Sequence, residues 1–299
     1  MSKKTISVFA FVGFYALAAG LLTFTGCGGG TTPDAVRNDR DPKPEVAKTD
    51  AVAKTDEPKK APKTGGVGEP YDAAKAVCVI KGVVSFEGKA QKMTAIPVSE
   101  AQCAAHHGDK GLKKEDLVVS DDNKVANVVV FVSEMNPSYN FDGYGERLPH
   151  ALINQLGCQY LPHAFGMMTD QRLDIESSDP VAHNVHIVAK SNTEQNIAQG
   201  TKGIHATHPT FGSPEMGIKI KCDVHGWMSA WVCVFEHPFF AVTAPDGTFE
   251  IKVPPGTYTV DTWQELSPAR KVVASPAQKN VTVTSDKPAD LKFTYKMKP

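Results

Sequence analysis

The chain has 299 residues, 41% of them hydrophobic, which is enough for one or two packed domains. Its formal charge of −1, from 32 Lys and Arg against 33 Asp and Glu, excludes both the basic surface of a nucleic-acid binder and a strongly acidic protein. The first element in chain order is "TISVFAFVGFYALAAGLLTF", an uncharged apolar run behind Lys3 and Lys4. A positive start followed by an apolar stretch predicts a signal peptide over 1–26, with an uncleaved membrane anchor as the alternative. Residues 27–72 follow, rich in Gly, Pro, Lys and Asp and carrying "VAKTD" twice. Such a segment cannot bury a core and predicts a disordered tether.

From Val77 onward the pattern is that of strands. "VCVIKGVVSF" and "KVANVVVFV" are β-branched runs, and "QRLDIES" alternates as a half-buried strand does. "HNVHIV", "GIKIKC" and "SAWVCVFE" continue the series, and "SEAQCAAHHG" is the best candidate for a short helical turn. Asp246-Gly247 and Pro254-Pro255-Gly256 are turn signals. The expected fold class is all-β, built from sandwich-type sheets.

Chemistry-bearing residues cluster at "KCDVHGWM", where Cys222, His225 and Met228 stand three apart. A thiolate and two imidazoles in a plane, with a weak axial thioether, suit a copper ion that exchanges single electrons. A strand cysteine and a lone histidine are each more often plain core or surface residues. On another strand, in "AHNVH", His186 stands three residues after His183 and so faces the other side, which makes it a second choice of ligand or a structural residue. Asn184 is expected to hold the loop. Of the remaining cysteines, Cys103 and Cys158 are the best disulfide pair, while Cys78 and Cys233 read as buried thiols. An alternative groups Cys103, His106, His107, Cys158 and His163 around a second metal, although their spacing matches no standard zinc pattern.

Three resemblances add to this reading. "FTGC", ending at Cys27, resembles a bacterial lipoprotein cleavage box, with Phe24 where Leu is usual; it implies lipid on Cys27 and a chain facing the periplasm or the exterior. "AHNV" with "KCDVHGWM" resembles the plastocyanin-like cupredoxins. That implies one type 1 copper held by His183, Cys222, His225 and Met228, with His225 near the loop tip as the route to a redox partner. Two residues separate His225 from Met228, where those loops usually have four, and Ile218 stands where a dinuclear copper centre needs a second Cys. "APDGTFEIKVPPGTYTVDTW" and "IKGVVSFEGKA" resemble the carboxypeptidase-regulatory-like, transthyretin-like β-sandwich. Together the segments resemble bacterial envelope proteins labelled by analogy with methylamine utilisation, some of which have Trp-His-Glu where Trp263-Gln264-Glu265 stands here.

The expected organisation is therefore a regulatory-like sandwich from 77–135 and 239–299, with a cupredoxin-like domain at 148–238 inserted into it. The expected function is a lipid-anchored one-electron carrier of the cell envelope rather than an enzyme, serving a redox protein and no nucleic acid. The alternatives are a copper carrier or sensor without redox turnover, and a metal-free surface interaction module.

Overall fold

The computed structural model describes residues 68–200, 202–265 and 271–298. The apolar run, Cys27 and residues 28–67 of the expected tether lie outside these residues. The end of that tether is structured: Glu69–Pro70 pairs in parallel with Tyr139–Asn140. The reason is aromatic. Tyr71 packs against Tyr139, Phe141, Tyr144 and Phe239, with ring centroids 4.9–5.9 Å apart.

The protein is all-β. The first long strands are β1 (Cys78–Glu87) and β2 (Val129–Asn136). Between them lies α1 (Ala101–His107), the α-helix found among the described residues. Next come β3 (Ala151–Gln155), β4 (Ala164–Met168), β5 (Leu173–Ser177), β6 (His183–Val188), β7 (Gln195–Gln199), β8 (Glu215–Lys221) and β9 (Ser229–Phe235). The chain ends with β10 (Phe240–Val242), β11 (Thr248–Val253), β12 (Gly256–Trp263), β13 (Val272–Ala274), β14 (Gln278–Val283) and β15 (Ala289–Met297).

Strands from the two ends of this series share sheets. One sheet runs β10–β2–β12–β14 and the other β11–β1–β15–β13. Alternation along β1 and β11 turns Ile80, Val84, Phe249 and Ile251 inward, against Val130, Val260 and Phe293. The β10–β11 segment turns at Asp246-Gly247, where Asp246 Oδ1 accepts from the Thr248 N–H (3.0 Å) and hydroxyl (2.7 Å). Between β2 and β10 the chain leaves this outer sandwich and builds an inner one. Its sheets are β4–β9–β8–β6–β7 and Tyr160–Leu161, β3, β5 and Gly203–Ile204. Ile153, Ile175, Val185, Ile187, Ile220 and Val232 fill the space between them.

The two sandwiches meet along a seam of large rings. Phe131 lies 5.2 Å from Phe235, and Trp231 lies 5.8 Å from Trp263. Close approach is possible because β8 bulges at Gly217, whose φ is +66°, and the Trp263 ring sits where its Cβ would be.

Candidate metal centre

β6 brings His183 to the end of the inner sandwich, and the β8–β9 loop brings Cys222 and His225 to the same point. All three side chains are buried, at 2%, 2% and 6% exposure. The loop is closed tightly by its own backbone: the Met228 N–H donates to the His225 carbonyl at 2.9 Å, and the Cys222 N–H to the Met228 carbonyl at 3.3 Å. Asn184 braces it from the strand beside it. Its Oδ1 accepts from the Asp223 N–H at 2.7 Å and lies 3.3 Å from Cys222 Sγ. Tyr160, fully buried, donates its hydroxyl to the Asn184 carbonyl.

The orientation of His183 is set by a residue that spacing did not single out. Asp179, buried at 4% exposure, places a carboxylate oxygen 2.9 Å from His183 Nε2. A carboxylate only accepts, so the proton sits on Nε2 and the Nδ1 lone pair faces inward. That Nδ1 stands 3.0 Å from His225 Nδ1, and Cys222 Sγ stands 3.9 Å from the same His225 atom. Asp179 also accepts from the Gly157 and Cys158 N–H groups at 2.6 and 2.7 Å. The "DPVAH" spacing, an acid four residues before His183, was the signal available for it in the sequence.

These contacts shape the charges. Burial alone would raise the Cys222 thiol, but His183 beside it and the backbone groups of Asn184, His225 and Val224 hold it below its ordinary value. Burial alone would lower His183, yet Cys222 and Asp179 raise it. His225 is lowered by burial and then by its neighbour His183. Two imidazole nitrogens and a sulfur thus converge in a buried spot where each group's charge depends on its neighbours.

Met228 is buried at 2% exposure and its backbone closes the same loop. Cys222, Trp227 and Met228, with Lys114, His163 and Glu265, are among the residues that line a cavity of about 430 Å³. His186 does not join the cluster: its ring nitrogens bond Asp223 at 2.9 Å and Glu194 at 2.7 Å.

Two expectations change here. The five-residue grouping of Cys103, His106, His107, Cys158 and His163 does not form. Cys103 and Cys158 are joined to each other (S–S 1.98 Å), His107 Nε2 donates to the Gly157 carbonyl at 2.7 Å, and His163 turns away to Glu265 at 2.9 Å. His225 is also not at an exposed loop tip. Helix α1, pinned by the disulfide, lies over it, and Cys103 Sγ is 4.0 Å from its Nε2. The Trp227 ring, 5.1 Å away, covers it further and donates to the Cys158 carbonyl at 3.1 Å. Cys78 and Cys233 are free, buried thiols.

Fold and site together define a β-sandwich with a buried donor set of two imidazoles and one thiol. No family model matches the sequence, and no curated protein matches it. Solved structures do match, each over one segment of this chain. An oxidised mutant of amicyanin is 16% identical over 29% of this chain and 84% of that one, with a TM-score of 0.26. A purple cupredoxin from Nitrosopumilus maritimus is 18% identical over 28% and 98%, with a TM-score of 0.24. A copper-containing nitrite reductase from Thermus scotoductus SA-01 is 11% identical over 36% and 25%, with a TM-score of 0.28. At such identities and scores the likenesses concern one segment's fold and carry no function.

Proposed function

We propose that the inner sandwich holds one copper ion through His183 Nδ1, Cys222 Sγ and His225 Nδ1, with Met228 as a weak fourth donor, and that the protein carries single electrons. The observation behind this reading is the convergence of the three buried donor atoms. Atoms bound at about 2.0–2.3 Å to one metal stand roughly 3–4 Å from one another, and the two separations from His225 Nδ1 are 3.0 and 3.9 Å. The donor chemistry fits as well. A thiol already held low and an imidazole of His183 with an inward lone pair suit copper bound by nitrogen and thiolate sulfur. When bound, copper supplies a one-electron couple in a site whose geometry changes little between its two states. The chain's part is to hold His183 in one tautomer through Asp179, favour the thiolate of Cys222 and bury the three donors. The cavity beside Cys222 and Met228 gives a partner an approach that the covered His225 does not.

The reading extends to the rest of the chain. A lipid on Cys27 would anchor the protein in the bacterial envelope, facing the periplasm or exterior, and residues 28–67 would give it reach toward a redox protein. The outer sandwich, on its resemblance to the regulatory-like module, serves as a spacing or interaction domain. A second reading, copper held or sensed without turnover, is favoured by the burial of His225 under α1.

Addition of Cu(II) to the metal-free protein should give an intense visible thiolate-to-copper band that is absent in Cys222→Ala. A colourless protein with no bound copper sinks both readings. A coloured protein that gives no reversible electrode response supports the carrier reading over electron transfer.

A further inference from the structure

Away from the buried cluster, His150, Asp174 and His208 come together on the outer part of the inner sandwich. We infer that they form a second metal site, open to solvent, for a divalent ion of the zinc and copper(II) class. The three residues come from three separate stretches. His150 immediately precedes β3, Asp174 lies on β5, and His208 lies in the loop after Gly203–Ile204. Backbone contacts fix those stretches side by side. Leu152 on β3 is the register partner of Asp174 in parallel pairing. The loop is tied along β5 by His205 N–H to the Ile175 carbonyl at 2.8 Å and Leu173 N–H to the Pro209 carbonyl at 2.9 Å. The arrangement therefore belongs to the sheet and not to three mobile side chains.

Both rings turn the same atom toward the same oxygen. His150 Nδ1 is 2.8 Å and His208 Nδ1 is 2.7 Å from Asp174 Oδ1. The ring centroids are 5.6 Å apart, and one ligand atom from each of the three residues lies within 4.8 Å of the others. As a set of surface ion pairs this triad contributes little, because water screens it. A single divalent ion replaces the protons between these groups and meets all three donors from one point. Two imidazoles and a carboxylate select borderline divalent ions, whereas calcium and magnesium take all-oxygen sets. The partial exposure of the three side chains, 39% for His150, 25% for Asp174 and 31% for His208, leaves the other coordination positions to water. The two imidazoles on one carboxylate also keep Asp174 below the ordinary carboxylate range, against the effect of burial, so it is ionised and ready to bind. No residue is shared with the buried cluster, and no thiol takes part.

Zinc titration of the full chain by calorimetry tests the site, with Asp174→Asn and His208→Gln beside the parent and with Cys222→Ser as the background that disables the buried cluster. The parent should bind one more zinc equivalent than either variant, and the Cys222→Ser background should keep that equivalent. Substoichiometric zinc should also move the His150 and His208 imidazole resonances in proton–nitrogen spectra. His208→Gln leaves the strand backbone untouched, so a lost equivalent there with an unchanged far-ultraviolet spectrum is not a folding defect. Equal stoichiometry in the parent and both variants, with those resonances unmoved, overturns the site whether or not the buried cluster binds copper.

Discussion

Behind β1 the outer sandwich packs Ile80, Val84 and Phe86 against Val130, Val132, Tyr258 and Phe293, and the polar residues it fully buries are Thr243, Thr259 and Gln264. Behind β6 the inner sandwich also starts with Val185 and Ile187, but the end of that strand is given over to His183, with Asp179 and His225 beside it. Among the described residues, every fully buried His and Asp lies in the inner sandwich. The difference is one of cost. An apolar interior needs only shape, while a buried imidazole or carboxylate needs partners for each polar atom. For Asp179 and His183 the inner sandwich supplies those partners from loops converging at one end, and among the described residues the outer one buries no His or Asp that would need them.

The largest effect that would break this contrast is at Asp179. Its two carboxylate oxygens accept from three N–H groups, at Gly157, Cys158 and His183. In Asp179→Asn one oxygen becomes a donor facing donors. The loss should cost about 3–4 kcal/mol of stability, since buried unsatisfied groups cost roughly 1–3 kcal/mol each. The amide also invites His183 to accept at Nε2, which moves the ring proton to Nδ1 and takes away its inward lone pair. Copper affinity should then fall about 10–100-fold. Denaturant unfolding of the metal-free protein and a copper competition titration read the two effects; unchanged copper affinity would show that Asp179 does not set the tautomer.

A smaller effect probes the seam that joins the sandwiches. Gly217 has φ +66°, and a Cβ there would stand 2.5 Å from the Trp263 ring. Gly217→Ala should destabilise the protein by about 2–3 kcal/mol, from left-handed backbone strain and overpacking together. Ala at Gly226, where nothing lies within 4 Å and no positive φ is recorded, should change little. Equal losses at both positions in thermal unfolding would mean that the seam is not tightly packed.

The sequence made the all-β class legible, because period-two alternation in "QRLDIES" and β-branched runs such as "KVANVVVFV" carry the strand signal locally. It also brought His183, Cys222 and His225 forward as candidates, through the resemblance carried by "AHNV" and "KCDVHGWM", and the structure brings these three side chains together. The surroundings were not legible. The cover over His225 comes from α1, whose Cys103 lies 122 residues away, and Asp179 acts through loop 157–158; neither relation has a local pattern. The same holds for His150, Asp174 and His208, which register and loop return bring together across 58 residues of sequence. Tyr71 shows a boundary error of the same origin, for one aromatic residue at the edge of a polar stretch docks into a cluster of rings.

The smallest effect lies on the seam and depends on pH. His237 stacks between Phe235 and Phe239, with ring planes 24° apart in both contacts, and its Nδ1 accepts from the Phe239 N–H at 3.2 Å. That bond needs a neutral ring. Burial pushes the imidazole down to about 4, against backbone contacts that favour the charged form. The unfolded chain has the ordinary value of 6.5, so between pH 6.5 and 4 it binds a proton that the folded chain does not. Stability from this group is therefore complete above pH 6.5, declines as the pH falls toward 4, and loses no more below that. The decline from pH 7 to pH 4.5 should be about 2 kcal/mol after allowance for solvent screening of a half-buried ring. His237→Phe keeps the stacking and removes the titration, so denaturant unfolding of the variant should show a flatter pH profile than the parent by that amount. The outer and inner sandwiches would then be seen to share one acid-sensitive joint, set apart from the acid chemistry of the buried cluster. Parallel profiles for the two proteins would place the acid sensitivity elsewhere.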